Sequence, residues 1–417
     1  MTAVQPDAAE YARIADVVRR CESRGDAAQI CGGATLVRGE RAGVMRIDTR
    51  SLDRLIEHAV ADMTVTVQAG MTVAALQARL AEHGQELALD VPRPDRSTVG
   101  GAVAMNLSGS RRLACGAVRD QLIGLRVVGA GGELIRGGGR VVKNVAGYDL
   151  CKLYTGSRGW LGVIVEATFR VAAKPEAAGA LLVACDDADA AERALAALRG
   201  APLAPNSIDL LNARATAVAL PGAPGAAPLR VLVGFDGARD AVEWQIAEAR
   251  RWFATDAIKL RGDELATARQ ELVNRLVAPD EVGDSSDAGA ARGDAPRSLP
   301  PTLSIRFSLP GARLAAFIVE QSRRAPDAPL WSQFASGVAY VAYPQANPEH
   351  AGAAVASAAA LGGAWQVVAG GDVDELPFAP LGPRRDEWEL MRRVKRALDP
   401  HDVFERGGAF DRAFCAT

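Results

Sequence analysis

The chain has only four histidines, His58, His83, His350 and His401, and none stands near another in the sequence. Paired-histidine metal chemistry is therefore not expected, and each histidine reads as a surface or helix-end residue. The six cysteines, at positions 21, 31, 115, 151, 185 and 415, form no C-x-x-C pair. That spacing argues against an iron–sulfur cluster, a structural zinc or any other metal site within the chain. No run approaches the roughly 18 uninterrupted apolar residues of a membrane span. Residues 1–20 carry Asp7, Glu10, Arg13 and Asp16 where a signal peptide needs an apolar stretch, so a cytoplasmic location is expected. Charge of one sign is also lacking: 48 basic residues face 50 acidic ones. No long-range field is left to attract nucleic acid or an anionic membrane.

What is present is the composition of a globular enzyme or enzyme subunit, with 417 residues, 49% hydrophobic and 24% charged. That length exceeds a single typical core, so more than one domain is expected. A helix over 7–20 precedes a strand at Ala28 to Cys31, and further strands follow at Val44 to Asp48 and Met63 to Gln68. Thr72 reads as the cap of a helix from Val73 to His83, with Gly84 as its stop. Leu122 to Val128 is long enough for a buried strand. Gly129, Ala130, Gly131 and Gly132 then separate it from the β-like Glu133 to Arg136, which predicts a hairpin. The same glycines fail the G-x-G-x-x-G pattern at Leu134, and a nicotinamide-binding Rossmann turn is rejected on that ground.

From Glu176 onward Ala-rich segments alternate between strand and helix in a β-α-β-β-α-β order. That order predicts helices on one face of an antiparallel sheet. The stretch 279–301 is nearly free of large apolar side chains and reads as a mobile surface insertion. A last amphipathic helix, Asp386 to Leu398, precedes Asp399-Pro400-His401-Asp402-Val403-Phe404.

Glycines are densest between Thr98 and Lys174. The run opens with Thr98-Val99-Gly100-Gly101-Ala102 and continues through Asn106-Leu107-Ser108-Gly109 and Arg119-Asp120. It closes with Lys143-Asn144-Val145-Ala146-Gly147-Tyr148-Asp149 and Leu161-Gly162-Val163-Ile164. A protein of neutral charge holds a pyrophosphate best with backbone amides presented by tight glycine turns. Gly32-Gly33 and Gly100-Gly101 are both placed for that. Either pair alone reads as a turn; the two pairs with the later cluster read as a flavin dinucleotide cradle. Two roles suit Lys143: a cation beside the flavin or an anionic ligand, or a surface lysine paired with Asp149 or Asp120. Tyr148 reads as a stacking group, a hydrogen-bond donor or a packing residue, and Asn144 as a cap of the following helix.

The motifs Lys143 to Asp149, Gly156-Ser157-Arg158-Gly159-Trp160-Leu161-Gly162 and Ala117-Val118-Arg119-Asp120 resemble the FAD-binding family shared by vanillyl-alcohol oxidases and D-2-hydroxy-acid dehydrogenases. Within it they resemble the FAD-binding E-type subunits of bacterial glycolate oxidases. The resemblance is strong from Thr98 to Lys174, recognisable from Ile30 to Leu89, weak through the Ala-rich half and visible again from Leu390 to Phe404. It implies an α+β architecture: a PCMH-type two-subdomain FAD-binding domain over 1–175, an antiparallel-sheet cap domain over 176–376, and a segment 377–417 returning to the first domain. It also places Gly32, Gly33, Thr35, Thr98, Gly100, Gly101 and Ser108 along the pyrophosphate and ribityl chain, with backbone contacts at Val163 and Ile164. The position at which several relatives carry a flavin-bonded histidine is Ala34 here, so the FAD is expected to be noncovalent.

The relatives that act alone carry a His-rich Gly-Asp-Gly-Asn element that this chain lacks, which leaves the catalytic residues unassigned. The tail departs as well, with Glu405-Arg406-Gly407-Gly408 in place of Asn-Pro-Gly and a basic residue. By resemblance, the chain is an FAD-binding subunit of a complex that oxidises glycolate or a related 2-hydroxy acid. Its partners would be a catalytic flavoprotein subunit and an iron–sulfur subunit, with any membrane attachment peripheral and made through the complex. The competing readings are a stand-alone flavin-dependent D-2-hydroxy-acid dehydrogenase, with Lys143 or Arg306 clamping the carboxylate, and a flavin-free scaffold.

Overall fold

The structure, a computed structural model, describes residues 8–36, 43–139, 147–224, 227–253, 257–277, 303–343, 348–370, 376–383 and 385–404. Lys143 and Asn144, the 279–301 insertion, and Glu405 to Gly408 with Arg406 lie outside the described residues. The chain divides into two compact units, Met1–Lys174 with Arg384–Thr417, and Pro175–Pro383.

The first unit opens with the helix Ala8–Arg24. Its buried Tyr11, Ile14, Ala15, Val18 and Cys21 recur every three or four residues and form one apolar stripe. Among the described residues nine strands follow: β1 (Ala27–Cys31), β2 (Val44–Asp48), β3 (Leu55–Ala59), β4 (Thr64–Gln68), β5 (Gln85–Glu86), β6 (Leu122–Val128), β7 (Leu134–Gly138), β8 (Val163–Arg170) and β9 (Ala172–Ala173). β1 and β2 pair in parallel, β5 and β9 pair antiparallel, and the other five form a sheet in the order β3-β4-β8-β6-β7. Central β8 is buried from Val163 through Phe169, and its two polar residues there are partnered, Glu166 with Arg126 at 3.0 Å and Thr168 with the Thr66 hydroxyl at 2.9 Å. The predicted hairpin is there: Val128 faces Leu134, and the Gly129 amide donates to the Glu133 carbonyl at 2.9 Å. The C-terminal helix Glu387–Leu398 belongs to this unit, and beyond it the Ala28 amide of β1 donates to the Val403 carbonyl at 2.7 Å.

The second unit is built on β10 (Ala177–Cys185), β11 (Ser207–Asn212), β12 (Leu229–Gly237), β13 (Ile258–Arg261), β14 (Leu303–Ser308), β15 (Leu330–Gln333), β16 (Val338–Tyr343) and β17 (Ala364–Ala369). They make one antiparallel sheet in the order β13-β10-β12-β11-β15-β16-β14-β17. The order is a repeat. Within each quartet the strands lie fourth, first, third, second, and the two second strands, β11 and β15, meet at the middle. Helices Ala188–Gly200, Arg239–Trp252, Gly311–Arg324 and Pro348–Ala360 share a core with Leu181, Val231, Ile305 and Val341 on one face.

The expectation of helices on one face alone needs correction. Arg269, on the helix Gly262–Leu272, donates to the Ser207 hydroxyl at 2.9 Å. Ser207 points away from the face of Leu210, because side chains alternate along β11. The sequence rhythm orders the elements along the chain but says nothing about which side of the sheet each helix takes.

Candidate functional site

The two glycine pairs, far apart in sequence, are packed on one another. β1 ends at Cys31 and the chain turns through Gly32 and Gly33. A Cβ at Gly33 would stand 1.9 Å from the Arg96 carbonyl oxygen, and one at Gly32 would stand 2.4 Å from the Thr98 hydroxyl. Only glycine lets this corner press against the segment Arg96 to Thr98. Thr98 then caps the helix Val99–Met105, its hydroxyl accepting from the Gly101 amide at 3.2 Å. The hydroxyl of Thr35 lies 2.9 Å from that of Ser97, whose own proton goes to the Pro92 carbonyl, so Thr35 is the donor.

These turns line a cavity of roughly 280 Å³, at the lower edge of the range for small-molecule sites. Gln29, Ile30 and Cys31 come from β1, and Arg46 and Thr49 from β2 and its end. Ala102, Ala104, Met105 and Leu107 come from the capped helix and its exit; Arg158, Gly159, Gly162 and Ile164 come from the corner that leads into β8. Gly162 takes φ +154°, and a Cβ there would meet Val127 Cγ1 at 2.6 Å, so that corner too is open only to glycine.

Two features give the cavity its chemistry. Among the described residues the amides of Gly32, Gly33, Ala34 and Thr35 make no hydrogen bond to any protein acceptor, so four consecutive donors lie in one turn. Successive backbone donors of this kind form an anion-binding concavity. Among the described residues the lining also includes two arginines, Arg46 and Arg158, and no Asp, Glu, His, Lys or Tyr. Arg46 donates to the Cys31 sulfur at 3.1 Å and lies 3.7 Å from Asp48, whose carboxyl is held below its ordinary range chiefly by a hydrogen bond from Arg50. The amides, hydroxyls and guanidinium groups among this partly apolar lining suit an anion, and among the described residues they are joined by no carboxylate or imidazole that could move a proton.

Of the residues singled out from sequence, Gly32, Gly33, Ala34, Thr35, Thr98, Gly100, Gly101, Gly162 and Ile164 are brought together on this wall. The second glycine pair contributes differently from the first. The Gly100 amide donates to the Ala69 carbonyl at 2.7 Å and the Gly101 amide to Thr98, so the pair supplies close packing and not free donors. Val99, Ser108, Gly109 and Val163 are not on the wall: Val99 and Val163 are buried, and Gly109 sits against the Asp90 side chain. Gly147 and Tyr148 are not on it either, and Tyr148 is 94% exposed, which leaves it no stacking partner in the cavity.

Sequence reading missed Arg46, Thr49, Ser97 and Arg158. Arg158 was within reach, since it lies inside the Gly156–Gly162 run. Arg46 and Thr49 arrive only through the parallel pairing of β1 with β2, a contact that no local pattern announces. One further correction concerns histidine. His58 and His83, 25 residues apart, come together edge to face with ring centroids 5.1 Å apart, because β3 and the end of the helix Val73–Ala81 meet. His58 Nε2 is bonded to Gln85 Oε1 at 2.7 Å, and among the described residues no group of three or more metal-ligating side chains forms.

Comparison with known proteins adds a family match to this geometry. Residues 5–138 match the family described as FAD binding domain, and residues 377–408 match FAD linked oxidases, C-terminal domain. The chain is 30% identical over 273 residues to glycolate oxidase subunit GlcD of Bacillus subtilis, covering 64% of this chain and 56% of the relative. It is 37% identical over 132 residues to glycolate oxidase subunit GlcE of Escherichia coli, covering 31% and 38%. A D-2-hydroxyglutarate dehydrogenase of Xanthomonas citri is 34% identical over 170 residues, covering 41% and 35%. The matched stretch thus spans little more than half of the first relative and under two fifths of the other two. A solved structure of an alkyldihydroxyacetonephosphate synthase superposes on 94% of this chain and 73% of its own with TM-score 0.66 at 17% identity, a likeness of fold. The chain therefore carries the α+β fold, the FAD-binding domain and a C-terminal segment of the FAD-linked oxidase type, with FAD as its cofactor.

Proposed function

We propose that the chain is the FAD-binding subunit of a glycolate oxidase-like assembly, in which a 2-hydroxy acid is oxidised to the 2-oxo acid. The observation that carries this reading is the row of four uncommitted amides, Gly32 to Thr35, on a wall with two arginines and no carboxylate. These residues would hold the dinucleotide's diphosphate, with Thr98 and Gly100 fixing the opposite corner. Ala34 has no nucleophilic atom to form a bond to the ring, so the cofactor is held noncovalently. When bound, FAD supplies a two-electron acceptor for the hydride that leaves the carbon bearing the hydroxyl. The contribution of the described residues at this wall is to bind and orient, because none of them is a carboxylate or imidazole able to accept the hydroxyl proton.

That division of labour favours a subunit that depends on a second flavoprotein chain for the proton transfer. With no C-x-x-C pair of its own, it would depend on an iron–sulfur chain for electron exit. The names of two relatives, each a glycolate oxidase subunit, support an assembly of this kind. Anaerobic addition of glycolate or D-lactate to the FAD-loaded chain tests it. The visible flavin absorbance should persist with the chain alone and bleach once companion chains co-purified from the host are added. Bleaching by the chain alone would establish the stand-alone dehydrogenase instead.

A further inference from the structure

Lys395 carries a buried positive charge behind the cavity, at the point where the C-terminal segment meets both of its walls. It lies on the helix Glu387–Leu398 with its side chain 6% exposed. Its ammonium has three protons and uses all of them, donating to the Asp399 Oδ2 at 2.6 Å, the Trp160 carbonyl at 2.9 Å and the Phe404 carbonyl at 2.9 Å. The Trp160 ring centroid lies 5.4 Å away, and the Asp402 carboxylate 3.3 Å away. Asp399, whose side chain is fully buried, accepts in turn from the amides of Val403 at 2.8 Å and Phe404 at 2.9 Å.

Each contact leads to the cavity. Val403 and Phe404 lie beside Ala28 of β1, the strand whose next residues, Gln29, Ile30 and Cys31, line the wall and run into Gly32 and Gly33. Trp160 stands between Gly159 and Gly162, which line the opposite wall. One ammonium thus ties the strand behind the first glycine corner to the corner that enters β8. A buried ion pair is a costly way to fasten a helix, since apolar residues of similar volume often hold as well or better. What the pair adds is a fixed geometry among three backbone segments.

We infer that Lys395 is a positioning residue for the dinucleotide site, setting the spacing of the two walls, so that FAD binding and docking of the C-terminal segment are linked. The inference rests on assigning the cavity to FAD, and it does not depend on the 2-hydroxy-acid reaction. Linkage is reciprocal: whatever tightens the tail tightens the cofactor, and the cofactor tightens the tail by the same factor.

The test uses the full-length chain stripped of FAD. In the wild type, FAD should slow hydrogen exchange at the amides of Val403 and Phe404 by roughly tenfold, within the range of ordinary coupling energies. Lys395→Met and Asp399→Asn should each weaken FAD binding, read by flavin fluorescence, by roughly tenfold. Leu80→Ala, a core substitution in the helix Val73–Ala81 away from the cavity, serves as the control for lost stability and should leave the affinity within about twofold. Unchanged exchange on FAD addition, or variants that lose no more affinity than the control, overturns the inference. If Lys395→Met fails to fold, the wild-type exchange and Asp399→Asn still decide it. A wild-type chain that takes up no FAD overturns the cavity assignment and this inference together, whereas substrate that fails to bleach the flavin touches neither.

Discussion

At the scale of single residues, the glycine corners are places where a methyl group has no room. A Cβ at Gly33 would meet backbone, the Arg96 carbonyl oxygen at 1.9 Å and its carbon at 2.7 Å, so the loop would have to move. At Gly101 the nearest atom is the Thr98 hydroxyl at 3.1 Å, a side chain able to give by a few tenths of an ångström. Gly33→Ala should therefore cost about 1–3 kcal/mol of stability in urea unfolding, the usual range for forced overpacking. It should also weaken FAD binding by tenfold or more, since ~1.4 kcal/mol lost at the four-amide turn already corresponds to a factor of ten. Gly101→Ala should have the smaller effect on both, and equal effects would contradict the packing described. Ala34, at φ +50°, holds a conformation that side chains seldom adopt, placing backbone strain in the same turn.

At the scale of elements, the short helix Leu150–Tyr154 shows how burial sets chemistry. Desolvation pushes the Cys151 thiol up to about 11 from 9.0, with Asp149 adding to the rise. Desolvation likewise pushes the Tyr154 phenol up to about 12 from 10.0, helped by Glu133. In both cases the folded value lies above the unfolded one, so the fold favours the neutral form. The contribution to stability is complete below the unfolded values and is lost as pH rises through the folded ones. The denaturant midpoint should fall between pH 9 and pH 12. At pH 8 the native chain should be alkylated at the half-buried Cys31 well before the buried Cys151. A midpoint flat across that window, or equal alkylation of the two thiols, would count against the burial of this helix.

Elements were also the most legible part of the sequence. β16 is a continuous apolar run and β6 and β12 are apolar but for Arg126, Arg230 and Asp236, while Thr72 caps its helix as expected but that helix ends at Ala81, short of the expected His83. β3 was missed because Glu57 and His58 break its apolar run, and its pairing with β4 is what makes it a strand. The helix Gly262–Leu272 was missed because its apolar Leu265, Ala268 and Leu272 are few and small against six charged or polar neighbours. At the site, glycine turns were legible because a missing side chain is itself a local signal. The arginines were not, since Arg46 reaches the wall by strand pairing and Arg158 by the fold of a corner.

At the scale of the whole molecule, each unit follows its own logic. The sheet of the second unit repeats one quartet twice, and residues 175–383 close on themselves around it. The first unit is completed from the far end of the chain, where Lys395, Asp399, Val403 and Phe404 pack behind β1. Proposed for that unit is a grip on the diphosphate of FAD by the main-chain amides of the turn from Gly32 to Thr35. A crystal structure of the chain with FAD bound tests that most directly. The account predicts diphosphate oxygens about 2.7–3.2 Å from the Gly32 to Thr35 amide nitrogens, ordinary hydrogen-bond distance. A diphosphate held elsewhere, with those four amides facing only water, would contradict it.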